Sequence, residues 1–260
     1  MPLMESYAPG MFCWAELGSP DAAAAKQFYT TLFGWSAEDR PMGPDAYYTM
    51  LTLEGRGVAA LYQLEPGTTS APHWLSYIAV ENASQSADRA RALGGEVLVE
   101  PFDVLDVGRM ALVQDPTGAV VALWEARRHA GAGVVREPNA IGWNQLATTD
   151  PARAAVFYGQ LLDWSRDDEG SGPTRFTSSG VPRGGITAIA PSLGPVPSAW
   201  LVYFEVVDCD GQAALAQSLG GSVRVPPGEI DGLGRAAVLV DPQGAVFAVI
   251  QPPAASTGAG

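Results

Sequence analysis

Glu16 is the side chain in this sequence best placed to move a proton. It lies in Phe12-Cys-Trp-Ala-Glu-Leu17, an apolar run where a carboxylate is costly to bury unless it has a partner or a task. An apolar wall would raise its pKa and suit it to general acid or base work; the alternative is a position near a strand end, reaching solvent or an arginine. Histidine is scarce. His73 follows Pro72 at the entrance to an apolar run and reads as a rim residue, while His129 falls in a stretch of Ala, Gly and Arg that reads as a linker. The remaining candidates bind rather than react: Trp14, Tyr48, Leu75, Tyr77 and Trp124 early in the chain, and Trp143, Gln145, Phe176, Leu201 and Tyr203 later. Flat rings suit stacking on a planar ligand while a few polar groups fix its orientation, although rings also fill cores. No nucleophile elbow or phosphate loop occurs. The pairs Gly94-Gly95 and Gly220-Gly221 end helices, opposite to the end that holds phosphate. Cys13 and Cys209 have neither zinc-like nor redox-like spacing and read as small core residues.

The elements that must position these groups occur twice. Trp14, Leu17, Asp21, Phe28-Tyr29 and Trp35-Ser36 return as Trp143, Leu146, Asp150, Phe157-Tyr158 and Trp164-Ser165, all 129 residues later. Trp74-Leu75, Leu93-Gly94-Gly95, Gly108-Arg109 and Asp115-Pro116-x-Gly118 return 126 residues later, ending at Asp241-Pro242-x-Gly244. Agreement at so many positions marks a duplication. It places one domain at 8–128 and a second at 137–253, with a flexible linker near 129–137 and a frayed tail after Gln251. Glu16 is matched by Gln145, which hydrogen-bonds but does not exchange protons, so the two halves are expected to have diverged.

Within each repeat a weaker symmetry appears. Residues 11–17 alternate as a strand, Asp21 caps a helix over 22–33, and strand-like runs follow at 47–53 and 57–64. A second unit opens at 74–80, carries a helix at 84–93 stopped by Gly94, and closes with runs at 96–100, 110–114 and 119–124. Asp115-Pro-Thr-Gly118 makes the last hairpin turn. The pattern is βαβββ, four times over, in an α+β chain.

Composition narrows the partners. With 47% apolar and 17% charged residues the chain reads as a compact soluble protein, and no run approaches the roughly 20 apolar residues of a membrane span. A net charge of −13 argues against nucleic acid, which needs a basic stripe. The N-terminus lacks a signal-peptide pattern, so a cytoplasmic location is expected.

Four βαβββ modules, with Asp-x6-Phe-Tyr opening one and Asp-Pro-x-Gly closing the next, resemble the vicinal-oxygen-chelate superfamily of glyoxalases, bleomycin-resistance proteins and extradiol dioxygenases. The likeness spans about residues 8–253, and the tandem form is similar to actinobacterial proteins of a hydroxylase-like or glyoxalase-like subgroup. The resemblance implies two tandem glyoxalase-like domains whose modules curl into half-open barrels around cavities. Metal enzymes of this family hold a divalent ion with His, Glu or Gln from the first and last strands of two modules, leaving open positions for two substrate oxygens. Carried over, those positions fall on Trp14, Leu75 and Ala122, and on Trp143, Leu201 and Ala248, none able to bind a metal. The last strands of the opening modules, near 57–63 and 184–191, carry no His, Asp or Glu either. A register slipped by two would keep the facing and bring in Glu16, His73 and Glu125 instead. Under a glyoxalase-like pairing across repeats, however, Glu16 would share a cavity with Ala199 and Gln251, while His73 and Glu125 would face Gln145. The expectation is therefore a cavity with no metal and no cofactor, binding an aromatic or amphipathic metabolite for resistance or as an accessory to secondary-metabolite biosynthesis. The alternatives are a metal-independent isomerase, cyclase or hydratase using Glu16, and a metal-dependent lyase or dioxygenase. Loops 40–46 and 169–173 would shape the pocket, and a monomer or homodimer would suffice.

Overall fold

The computed structural model describes residues 3–44, 46–167, 174–190 and 196–253. Its first repeat runs β1 (Phe12–Ser19), α1 (Ala22–Phe33), β2 (Ser36–Pro41), β3 (Tyr47–Leu53), β4 (Arg56–Gln63), β5 (His73–Ala79), α2 (Ala83–Ala92), β6 (Glu96–Val104), β7 (Gly108–Gln114) and β8 (Val120–Ala126). The second repeats that order with β9 (Ile141–Thr148), α3 (Pro151–Leu162), β10 (Ser165–Asp167), β11 (Thr174–Ser178), β12 (Val181–Ala188), β13 (Ala199–Glu205), α4 (Cys209–Ser218), β14 (Ser222–Ile230), β15 (Gly234–Val240) and β16 (Val246–Gln251). Every helix starts on a short acceptor side chain: Asp21, Asn82, Asp150 and Asp208 each accept the amide three residues on. The polar strand β2 has no apolar alternation because it is an exposed edge, charged and ending in proline, as edges that resist further pairing are. Periodicity alone does not reveal it.

Each repeat forms one eight-stranded mixed sheet, ordered β2-β3-β4-β1-β5-β8-β7-β6 in the first and identically in the second. Both modules of a repeat thus share a sheet, joined through β1 and β5. This corrects the cross-repeat pairing: Glu16 lies opposite Ala60 and Leu75 of its own repeat, not beside Ala199 and Gln251. Each sheet curls without closing.

What crosses between repeats is the helix layer. From α1, Phe28, Tyr29 and Phe33 pack with Phe204 and Phe247 of the second repeat, the Phe33 and Phe204 rings being 5.0 Å apart. From α3, Phe157 and Tyr158 pack with Val113, Val121 and Leu123 of the first. Tyr29 donates to Asp241 at 3.0 Å and accepts from Trp74 Nε1 at 2.9 Å, and Trp200 Nε1 donates to Tyr158 at 2.7 Å beside Asp115. The second glycine of each Leu-Gly-Gly makes room for the other repeat's phenylalanine: a Cβ on Gly95 would lie 2.9 Å from Phe157, and one on Gly221 3.3 Å from Phe28.

Residues 129–137 are not a flexible connector. Ala132 and Gly133 donate to the carbonyls of Cys13 and Gly57, each at 2.7 Å, while Gly131 has φ +137°, where a Cβ would meet the Cys13 carbonyl at 2.3 Å. This stretch is a strap laid along β1 and β4. The tail at 254–260 and the loop at 169–173 lie outside the described residues.

Tyr29→Phe is expected to strand Asp241 and the Trp74 indole, lowering unfolding free energy by about 2 kcal/mol. Urea denaturation should show a lower midpoint at unchanged slope; an unmoved midpoint would remove this bond from those joining the repeats.

Candidate functional site

Alternation along β1 divides its side chains. Ala15 and Leu17 turn to the helices, while Trp14 and Glu16 turn into the first half-barrel. Their neighbours on the concave face are small at two places, Ala60 on β4 and Ala122 on β8, and these leave room for a cavity of about 370 Å³. Its walls include Trp14, Met50, Met110 and Trp124. Arg40 on β2 and Leu105 after β6 come from opposite edges of the sheet yet line the same cavity, so the mouth is the gap that the curled sheet leaves open.

Glu16 is the anchor of the cavity's polar end. Tyr48 donates to Oε1, Tyr77 donates to Oε2 at 2.6 Å, and the Trp14 indole donates to the Tyr48 oxygen at 3.3 Å. The Glu16 residue is half-buried, its carboxyl ringed by protein, because it lines the cavity rather than the outer surface. Burial pushes its pKa up, opposed by the bonds from Tyr48 and Tyr77. Both phenols are pushed well above the ordinary range, by burial and then by Glu16's charge, so they remain donors. Chemically this is one acceptor held by two phenols: ionised it can accept from a hydroxyl, protonated it can donate to a carbonyl, and it can exchange a proton with a guest.

His129 reaches the cavity through the strap. Its ring stands edge-on to Trp14 at 4.7 Å and to Trp124 at 6.0 Å, and its carbonyl accepts from Trp124 Nε1 at 2.9 Å. Burial, then the charge of Arg40, lowers its pKa. The linker reading misses it because strand periodicity stops at β8 and carries no sign that the chain doubles back; rarity was its only mark in the sequence. Arg40 and Met42 of the 40–46 loop line the cavity, as does Arg128.

Of the residues singled out in the sequence, Trp14, Glu16, Tyr48, Tyr77 and Trp124 come together around this one volume. Leu75 is buried on the same face beneath them. His73 stands across from Gly18, its Nδ1 2.7 Å from the Ala71 carbonyl, away from the lining. Glu125 accepts the Ala83 amide at 2.9 Å and caps α2, as Gln251 accepts the Cys209 amide at the start of α4. His73 and Glu125, in the first repeat's own sheet, therefore do not face Gln145.

The second half differs inside. Trp143, Leu201 and Tyr203 cluster with Ala236, Ala248 and Ile250, and the Trp143 indole donates to Gln145 at 3.1 Å. Phe176 is a correction. It is fully buried on the helix face against Tyr158, Trp164 and Trp200, because strand register aligns it with Leu51 and a one-residue offset reverses facing. Arg175 matches Met50 instead, and its guanidinium reaches the Gly232 carbonyl at 2.9 Å, spanning from β11 to the turn after β14.

A divalent ion needs three or four donors of suitable kind. Among the described residues no three His, Cys, Asp or Glu side chains gather, and both oxygens of Glu16 are held by phenols. These residues do not fit a metal. Among them, too, no helix is long and apolar enough to cross a membrane.

Comparison with known proteins identifies relatives of the whole chain. Residues 12–123 match the model of the Glyoxalase/Bleomycin resistance protein/Dioxygenase superfamily, and residues 143–250 match that of a glyoxalase-like domain. The chain is 40% identical over 259 residues to the "Putative glyoxylase CFP32" of Mycobacterium tuberculosis, covering 97% of this chain and 98% of that one. It is 37% identical over 276 residues to the "Anthracycline biosynthesis protein DauV" of Streptomyces sp. strain C5, covering 98% and 100%. The fold is similar to that of the 2,3-dioxygenase LapB from Pseudomonas sp. KL28, with a TM-score of 0.64 at 12% identity over 94% of each chain.

Glu16's raised pKa sets a direction for stability. The folded chain keeps a proton that the unfolded chain releases between 4.5, the ordinary value, and the higher folded one. Stability therefore falls as pH rises through that interval. Glu16→Gln is expected to remove this slope and to melt above the wild type at neutral pH; parallel melting curves across pH would contradict the shift.

Proposed function

The chain belongs to the Glyoxalase/Bleomycin resistance protein/Dioxygenase superfamily, and from that membership we propose that it captures a flat, amphipathic aromatic molecule in its first half-barrel without a metal ion. One observation carries the reading. Where metal-binding members of the fold would present ligands, Trp14 lines a cavity of about 370 Å³ and Leu75 and Ala122 lie buried in the cluster beneath it; among the described residues the walls are rings and methionines, with a single hydrogen-bonded carboxylate at the polar end. Such a site holds a guest by stacking and shape, and Glu16 with Tyr48 and Tyr77 fixes its orientation. Methionine walls adapt to irregular outlines. The second half-barrel, with Gln145 in place of Glu16 and Arg175 reaching to Gly232, serves as the structural partner. Kinship with an anthracycline biosynthesis protein supports a part in making or tolerating a bioactive aromatic metabolite.

The Tyr48–Glu16–Tyr77 arrangement favours a second reading, proton transfer. A buried carboxylate with a raised pKa is a strong base once ionised. It would take a proton from carbon next to a ketone while one phenol turns its single O–H from Glu16 to the forming enolate oxygen, then return the proton to carbon as the phenol turns back, so that nothing is consumed.

Calorimetric titration with methyl 6-hydroxy-2-naphthoate is expected to give a Kd on the order of 100 µM or tighter, from about 0.4 kcal/mol for each heavy atom. The Met110→Trp variant, which fills the cavity, should weaken it at least about tenfold. Equal affinity in both proteins would sink the capture site. For the second reading, wild-type protein should speed deuterium uptake into 2-tetralone next to its carbonyl, followed by NMR, and Glu16→Gln should not. A wild-type rate equal to buffer leaves capture without turnover.

A further inference from the structure

We propose that the guest of the first half-barrel is an acid, an aromatic body bearing a carboxylate at the end that faces the mouth. The inference rests on the capture reading above and adds the chemical class of the guest.

The polar groups of the cavity are sorted by sign. Inside stand Glu16 and the two phenols that already satisfy it. At the rim stand Arg40 and Arg128. The lining holds no other acid among the described residues. In a chain of net charge −13 this concentration is unusual: two of its fifteen Lys and Arg residues border one opening. An anion approaching such a protein meets repulsion nearly everywhere, so a basic rim decides where it docks.

Both arginines are free to take a new partner. Arg40 sits 3.4 Å from Glu38, and Arg128 2.8 Å from Asp106, with all four side chains largely in solvent. Exposed pairs of this kind hold weakly and are screened by salt. A carboxylate carried on a ring seated in the cavity is presented at high local concentration and accepts two parallel bonds from a guanidinium fork, a geometry an ester does not match. Arg40's charge is felt inside the opening, where it adds to burial in lowering the pKa of His129. Exposed Met42 and Leu105 flank the same rim, so the mouth offers apolar and cationic surface together. A neutral guest would use the apolar part alone.

The test compares 6-hydroxy-2-naphthoate with its methyl ester by calorimetry at low and high salt. The acid is expected to bind at least about tenfold tighter at low salt, as charge-assisted bonds allow. That advantage should shrink several-fold at high salt while the ester's affinity holds. The double variant Arg40→Gln/Arg128→Gln should cost the acid far more affinity than the ester, closing the gap between them. Arg40→Lys/Arg128→Lys should restore part of the difference through charge without the fork. An ester that binds as tightly as the acid, or a double variant that weakens both alike, would overturn the inference and leave the capture reading standing. If neither compound binds, both fall together.

Discussion

The bond from Tyr29 to Asp241, relayed from the Trp74 indole, is a contact that neither repeat can make alone. Its counterpart runs the other way, with Trp200 donating to Tyr158 beside Asp115. Each repeat lends its first helix to cover the sheet of the other, and the rings of α1 and α3 find their packing partners across the pseudo-twofold. This reciprocity explains which motifs recur. Asp-x6-Phe-Tyr supplies a helix cap and the two rings that cross over, Leu-Gly-Gly supplies the space that receives the phenylalanine, and Asp-Pro-x-Gly supplies the turn whose aspartate meets the tyrosine. Since the helices occupy the outer faces of the curled sheets, the concave faces remain free for other use.

That freedom was used unequally. In the first repeat, Ala60 and Ala122 leave a cavity, and the carboxylate that would be intolerable in a packed core is held by two phenols. In the second, the Gln145 oxygen accepts from the Trp143 indole and Arg175 reaches the turn after β14. The strap then completes the first site by bringing His129 over Trp14 and Trp124, so the connection between repeats is itself part of the wall.

The duplication, the four βαβββ modules, the helix caps and the turn were legible in the chain because they depend on local spacing and on residue types with narrow backbone roles. So was the inward facing of Trp14, Glu16, Tyr48, Tyr77 and Trp124, since strand alternation has a period of two whatever lies beyond. Phe176 escaped because a single-residue offset reverses facing and a lone match between repeats cannot fix register to that accuracy. The edge strand β2 escaped because nothing buries it.

Local spacing, in short range along the chain, determined what each segment would be and which way most side chains would turn. Tertiary structure alone decided what those side chains would meet. That both modules of a repeat share one sheet, that Glu16 meets two phenols from β3 and β5, and that residues 129–137 fold back as a strap are outcomes of pairing between distant strands. Such pairings follow from the shape of the whole burial surface, which no window of sequence contains.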